Sequence, residues 1–288
     1  MADKKNKKRK INWDEINEKI SSSGKKNFSE ENGYSEKEWI PKLKEDGTHE
    51  SIIRFLPRPE NDIDSVPYVQ LFNHGFKGDT GQWFIENCPT TIGGDCPVCK
   101  ANTEAWNEGD EETARKRSRK KSFFANVLIV KDPQIPANNG KVFIYRFGIK
   151  IMEKVMAKLN PKGEIDEPIK VFDFDEGANF KLKIKKKGQW NNYDSSEFAG
   201  VTTAIGDDDF INSIDNQLHT LDPIVSPDKF SSYEKLEENF KKKSGIAVVI
   251  NRNVSEEQAP QEVSGEDSSE SLGDESIFES LRKEAEDD

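Results

Sequence analysis

Apolar residues in this chain come in short periodic runs between Ser51 and Phe240, and both ends are polar. Ile52-Ile53-Arg54-Phe55-Leu56 predicts a strand stopped by Pro57, since proline has no N–H to give a ladder. The run from Phe123 to Val130 predicts a buried strand that ends at Asp132-Pro133. Asn139-Gly140 is a turn signal, and Lys141 to Phe147 predicts the strand after it. Alternation is clearest over Phe180 to Lys185, with Phe180, Leu182 and Ile184 on one face and Lys181, Lys183 and Lys185 on the other. Three helical stripes follow from spacings of three and four. They are Ile151, Val155 and Leu159 with Met152 and Met156 beside them; Phe210, Ile214 and Leu218 within Asp207 to Leu218; and Tyr233, Leu236 and Phe240. Ile11, Trp13, Ile16 and Ile20 predict one further short helix, followed by the flexible break Ser21-Ser22-Ser23-Gly24. The middle of the chain is therefore expected to be a mainly β domain with inserted helices, and no internal repeat is present.

One cluster carries candidate chemistry. His74 is followed by Cys88 and by Cys96-Pro97-Val98-Cys99. Two thiolates three positions apart can grip one tetrahedral ion from a tight turn, which Pro97 stiffens. Cys88 and His74 supply a third and a fourth ligand, and a Cys₃His set closes a four-coordinate zinc site. The competing reading is three reduced thiols and an unrelated histidine, and His49 and His219 are the other imidazoles. A redox C-x-x-C lacks a βαβ setting here. A zinc nucleobase deaminase needs H-x-E, but Phe76 stands two residues after His74 and Asp95 precedes Cys96. No nucleophilic triad, P-loop or Gly-rich nucleotide fingerprint is present, so a non-enzymatic protein is expected.

Composition sharpens this picture. Hydrophobic residues make up 33% and charged residues 34%, against about 45–50% and about 25% in ordinary globular domains, so part of the chain is expected to be solvated tail. The net charge of −11 argues on its face against nucleic acid. That charge is not spread evenly. Residues 255–288 hold thirteen acids and two bases, which is the whole excess. At the other end Lys4, Lys5, Lys7, Lys8, Arg9 and Lys10 face only Asp3. The chain reads as a basic arm (1–30), a balanced core (31–254) and an acidic, disordered tail (255–288). No apolar stretch approaches the ~20 residues of a membrane span, and no secretory pattern follows the basic start. Three clustered cysteines suit a reducing compartment.

Cations and rings also lie close together in the core. Arg115, Lys116, Arg117, Arg119, Lys120 and Lys121 precede Phe123 and Phe124. Lys181, Lys183 and Lys185 lead through Gly188 to Trp190 and Tyr193, and Tyr145-Arg146-Phe147 repeats the pairing. Single-stranded nucleic acid asks for cations along its phosphates and aromatic faces under its unpaired bases. The alternative is ordinary: lysine runs are often solvated faces, and aromatics in β domains are often core.

Several motifs in order carry a resemblance. They are Ile53-Arg54-Phe55-Leu56-Pro57, Asn73-His74-Gly75-Phe76-Lys77, Trp83 with Ile85-Glu86 and Cys88, and Cys96-Pro97-Val98-Cys99. Ala125-Asn126, Val130-Lys131-Asp132-Pro133, Gly140-Lys141-Val142-Phe143, Tyr145-Arg146-Phe147-Gly148, Glu176-Gly177-Ala178-Asn179-Phe180 and Asn192-Tyr193-Asp194 continue it. From about Ser51 to Phe240 the chain resembles the helix-destabilising single-stranded DNA-binding proteins of T-even-like tailed bacteriophages.

The resemblance implies an OB-fold core with a zinc-binding subdomain at about 72–122, and one structural zinc on His74, Cys88, Cys96 and Cys99. It implies single-stranded DNA along a cleft that adds Arg54 and Lys77 to the cations and rings above. Lys7, Lys8, Arg9 and Lys10 are expected to mediate cooperative self-association along the DNA. The acidic tail is expected to recruit replication and recombination proteins (polymerase, helicase loader, primase, recombinase and its mediator), with Leu272, Ile277, Phe278 and Leu281 as apolar docking residues. The implied role is coating DNA during viral replication, recombination and repair in the cytoplasm of an infected bacterial host, with no membrane partner. Three departures stand out. Lys8-Arg9-Lys10 runs into Ile11 instead of Ser/Thr; Phe123 keeps a family ring without its hydroxyl; and a family aromatic before C-x-x-C falls in Gly93-Gly94. An RNA-binding zinc module in translational control remains the alternative, because stacking alone ignores the 2′-OH. A pure interaction hub is the second.

Overall fold

The twelve-residue strand β5 (Lys120–Lys131) organises the molecule, because it is paired along both edges. On one edge its first half pairs with β3 (Tyr68–Lys77) and its second half with β2 (Thr48–Phe55). The other edge pairs with β6 (Val142–Phe147), which β1 (Glu38–Trp39) joins in parallel. Outside β2 lies β7 (Phe180–Lys187), which also carries β8 (Trp190–Asn192) and β9 (Glu197–Phe198). β3 continues past the start of β5 and pairs with β4 (Trp83–Asn87) as a two-stranded ribbon.

This computed structural model describes residues 37–59, 65–163, 166–188 and 190–245. All belong to the first of the two units into which the chain divides, Met1–Val248; the second, Val249–Asp288, lies outside them. The basic arm, the helix expected over Ile11 to Ile20 and the acidic tail likewise lie outside the described residues.

β5 reads as one apolar run because both of its faces are covered. Phe123, Ala125, Val127 and Ile129 enter the main core with Phe55, Phe147, Phe172, Phe180 and Leu182. Phe124 packs on Val69, Leu221 and Val225, and Leu128 on Leu56 and Ile214. Residues between about 205 and 230 therefore roof the second face. On β7 the alternation holds: Phe180, Leu182 and Ile184 are buried, and their lysine neighbours face outward.

Helix α3 (Ile149–Leu159) buries the expected stripe of Ile151, Met152, Val155 and Leu159. Helix α4 (Asp208–Asp215) is shorter than expected. Asn216 closes it, so Leu218 packs from beyond its end, and Ile211 and Ile214 face the core in place of Phe210. Two helices that periodicity does not reveal are α1 (Pro97–Glu108) and α2 (Glu111–Arg117). Their signals are at their ends. Pro97 opens α1, Gly109 closes it in the left-handed region, and Asp110 caps α2 by accepting from Thr113 N–H.

The final helix, α5 (Tyr233–Ser244), packs on the ribbon and on α1. Leu236 and Phe240 share an apolar cluster with Phe76, Phe84, Cys88, Cys96 and Val98. Gly78, in the ribbon turn, permits this docking, since a Cβ there would lie 2.0 Å from the Lys243 carbonyl oxygen. Thr80 Oγ1 donates to that same oxygen at 2.6 Å.

Candidate metal centre and nucleic-acid interface

Three separate elements bring four ligand-type side chains together. His74 projects from β3 toward α5 and α1, alternating with the outward residues of the ribbon. Cys88 follows β4 and opens a 3-10 turn, Pro89–Ile92. Cys96 is the N-cap of α1, and Cys99 lies in its first turn. The four ligand atoms all fall within 4.8 Å of one another. Cys96 Sγ and Cys99 Sγ are 3.4 and 3.5 Å from His74 Nε2, and Cys88 Sγ is 3.5 Å from Cys99 Sγ. A tetrahedral ion with Zn–S ~2.3 Å and Zn–N ~2.0–2.1 Å requires S···S near about 3.8 Å and S···N near about 3.5 Å. The cluster fits one such ion, and its residues are buried apart from partly exposed Cys99.

Second contacts orient the ligands. His74 Nδ1–H donates to the Arg117 carbonyl at 2.9 Å, which leaves the Nε2 lone pair facing the sulfurs. Arg119 donates to Thr90 Oγ1 at 2.9 Å, and that hydroxyl lies 3.1 Å from Cys88 Sγ. The protons of the cluster are strongly perturbed. Burial opposes charging His74, but bonds and charge from Cys88 and Cys96 outweigh it and hold its pKa up at about 9. Hydrogen bonds from Cys96 and Cys99 pull the Cys88 thiol far down, while Cys88 and Cys96 push Cys99 far up. Three contacting sulfurs cannot all shed protons without a cation between them, and a divalent ion is the species that relieves this.

The candidate DNA residues fall into distinct settings. Arg54, Phe123 and Tyr145, expected on nucleic acid, are buried: Arg54 is 0% exposed, Tyr145 2% and Phe123 3%. Arg54 Nη2 donates to the carbonyls of Thr203 and Asp173 at 2.6 and 3.2 Å, pinning two loops. Tyr145 stacks on Phe147 and meets Trp39, and burial pushes its phenol well above its ordinary pKa. Strand alternation alone does not tell a core ring from a cleft ring, and in β5 both faces are core.

The cations 115–121 are divided by the end of α2. Arg115 lies over Trp106 and pairs with Glu111, Lys116 pairs with Asp79, and Arg117 lies over Phe240. Arg119 and Lys121 both lie over Phe72, at 4.6 and 5.3 Å from its centroid. Lys120 is exposed at the start of β5, and Lys77 at the end of β3. Arg146 is exposed on β6, lies over Phe124 and bonds Ser122 Oγ. Lys181, Lys183 and Lys185 share the outer face of β7; Trp190, 76% exposed, follows on β8, and Tyr193 is partly buried against the main core. The structure does not bring all of these into one strip. Lys77 and Lys120 lie at the first end of β5, whereas the β7 lysines reach its other end through β2, with Lys181 opposite Ile52 and Ile52 opposite Lys131.

A family model described as gp32 DNA binding protein like matches residues 47–243. The single-stranded DNA-binding protein of Enterobacteria phage T4 is 40% identical over 234 residues, covering 79% of this chain and 75% of that protein. That of Enterobacteria phage T2 is 41% identical over 219 residues, 74% of this chain and 71% of that protein. The chain belongs to the gp32-like DNA-binding protein family.

The gp32-like span takes in all of His74, Cys88, Cys96 and Cys99 and runs from the residue before β2 to the last turn of α5. The gp32-like family consists of binding proteins rather than enzymes. Trp83 and Ile85, which sequence reasoning had not assigned to any contact, are 59% and 56% exposed on β4 of this gp32-like core. Their alternation with buried Phe84 was a readable signal.

Proposed function

We propose that this chain is a sequence-indifferent single-stranded DNA-binding protein that coats unwound DNA during viral DNA replication, with further roles in recombination and repair. The observation that carries this reading is its 40% identity, over 79% of its length, to the single-stranded DNA-binding protein of phage T4. The exposed lysines of β7 beside Trp190 supply the chemistry such a ligand needs: cations for phosphates and a ring for an unpaired base. In this reading the sheet around the main core is an OB-fold, with a zinc subdomain at about 72–122 built from the ribbon, α1 and α2. The metal is one structural zinc on His74, Cys88, Cys96 and Cys99; when bound, it closes a four-ligand crosslink and leaves no open position for chemistry. Binding is then phosphate neutralisation plus stacking, with no bond made or broken.

The same reading assigns the basic arm to contacts between neighbouring copies on the strand and the acidic tail to two tasks. The tail competes for the cationic surface, and it recruits replication and recombination proteins. The site of action is the cytoplasm of an infected bacterial host. Titration with poly(dT), followed by tryptophan fluorescence, tests the central reading. A log–log salt slope near about −0.7 per phosphate neutralised is expected. An affinity indifferent to salt would sink it. Competition between matched DNA and RNA oligonucleotides separates it from an RNA-directed role. Deleting residues 255–288 is expected to tighten binding at low salt, and unchanged affinity would remove the competition model. Deleting residues 1–10 is expected to lower cooperativity more than affinity for a one-site oligonucleotide.

A further inference from the structure

The ribbon of β3 and β4 has two unlike sides. Phe76 and Phe84 stack on each other and face α5, and His74 and Glu86 lie on that side with them. The opposite side carries Asn73, Gly75 and Lys77 of β3 across from Asn87, Ile85 and Trp83 of β4. Lys120 faces Asn73 across the β3–β5 ladder, which sets it on this same side.

Trp83 and Ile85 are exposed there by 59% and 56%. Two large apolar side chains adjacent on one sheet face, both left in water, are the informative kind of exposure. Their surroundings are basic. Lys77 lies directly opposite Trp83. Gly75, opposite Ile85, has no side chain, and a Cβ there would sit 3.7 Å from Lys120 Nζ; the ammonium therefore reaches over the open backbone beside Ile85. The acids closest in sequence are engaged elsewhere: Glu86 accepts from Asn239 and Ser231 on the inner side, and Asp79 pairs with Lys116. None of the ribbon residues named on the outer side is acidic. Lys77 and the Lys120 row are four residues apart along β3, or about 13 Å.

We propose that this outer face is a second contact surface for single-stranded nucleic acid, with Trp83 stacking on an unpaired base and Lys77 and Lys120 holding phosphates along the strand that runs past it. It rests on the DNA-binding reading above and adds a surface at the opposite end of β5 from the lysines of β7. Charge complementarity selects this occupant: an exposed indole beside one ammonium group, with a second further along the same face and no acid among the described ribbon residues of that face, suits a polyanion whose rings are bare.

The test is equilibrium titration of the full chain with oligo(dT) at low salt, using Trp83→Ala, Trp83→Phe, Lys77→Gln, Lys120→Gln and, on the other surface, Lys183→Gln. Trp83→Ala is expected to bind about tenfold more weakly, and Trp83→Phe to recover most of that loss. Each ribbon lysine variant is expected to take about 0.7 from the salt slope. Parental affinity in Trp83→Ala, with Lys183→Gln weakened, overturns the proposal and leaves the DNA-binding reading standing; the face then serves a protein or an acidic segment. If the parent itself fails to bind oligo(dT), both fall together. Should Trp83→Ala not fold, the slopes of the two exposed lysine variants carry the test alone, and unchanged slopes overturn it.

Discussion

The backbone carbonyl of Arg117 accepts the Nδ1–H of His74 at 2.9 Å, while the Arg117 guanidinium lies 5.3 Å from the centre of the Phe240 ring. One residue at the end of α2 thus touches both the His74–cysteine cluster and the last helix. Phe240 also shares its apolar cluster with Cys88 and Cys96. The docking of α5 and the geometry of the ligands should therefore fail together. Phe240→Ala is expected to lower stability by about 3–5 kcal/mol and to speed metal transfer to a chromophoric chelator. Phe240→Leu should keep most of both. A variant that melts early but releases metal at the parental rate would show that the two are independent.

Metal removal has a direct readout. The His74 imidazole and the Cys88 and Cys99 thiols have perturbed proton affinities and are poorly satisfied by protons alone, so the energy of binding a metal there would be folding energy. Protein purified without chelators is expected to hold one equivalent of zinc. Chelation should lower its melting temperature, and one equivalent of added zinc should restore it. His74→Ala should weaken metal retention and leave the far end of β5 folded. Metal-free protein, or a melting temperature indifferent to chelator, would count against the site.

How legible all this was depended on local signals. The four cluster residues were readable because C-x₂-C places two sulfurs by chain geometry alone, and the strands of the main core because their period is short. Helices α1 and α2 were not, since Pro97–Glu108 and Glu111–Arg117 carry almost no apolar stripe and pack through the cysteines and neighbouring elements. Their caps, Pro97, Gly109 and Asp110, were the available clue. The roles of Arg54, Phe123 and Tyr145 depend on what lies on the far side of the sheet, and only long-range packing decides that.

Arg54 offers a test of that distinction. Burial pulls its pKa down to about 10, with Asp173 and Asp175 opposing, so the guanidinium stays charged at neutral pH. Its Nη2 serves carbonyls of Asp173 and Thr203, and Gly177 makes room beside it: a Cβ there would be 2.9 Å from Arg54 Nε. Arg54→Met leaves those carbonyls wanting but removes a costly buried charge, so a net loss of about 1–3 kcal/mol is expected. Oligo(dT) affinity, measured well below the melting temperature, should stay at the parental value. A fall in affinity without a fall in stability would return Arg54 to the nucleic-acid surface.

On β7 two of the proposed DNA-binding cations are paired with an anion. Glu197 of β9 lies opposite Lys181, with its carboxylate 3.3 Å from Lys183 Nζ and 3.7 Å from Lys181 Nζ. The Lys183 hydrogen bond and charge, followed by Lys181, hold the Glu197 carboxyl below its ordinary pKa. At neutral pH it is therefore ionised and neutralises part of the lysine face. Exposed pairs of this kind contribute little to stability, so Glu197→Gln should leave the melting temperature unmoved. It should also free two ammonium groups for phosphate. Oligo(dT) binding is then expected to tighten severalfold at low salt, with a slope steeper by up to about 1.4, or about 0.7 for each lysine released. The gain should vanish at high salt, where phosphate contacts are screened. Glu234→Gln on α5, which removes one negative charge away from β7, is the control for net charge alone. Equal tightening by both variants would mean that the overall charge governs affinity and that the Lys181–Glu197–Lys183 arrangement has no part in it.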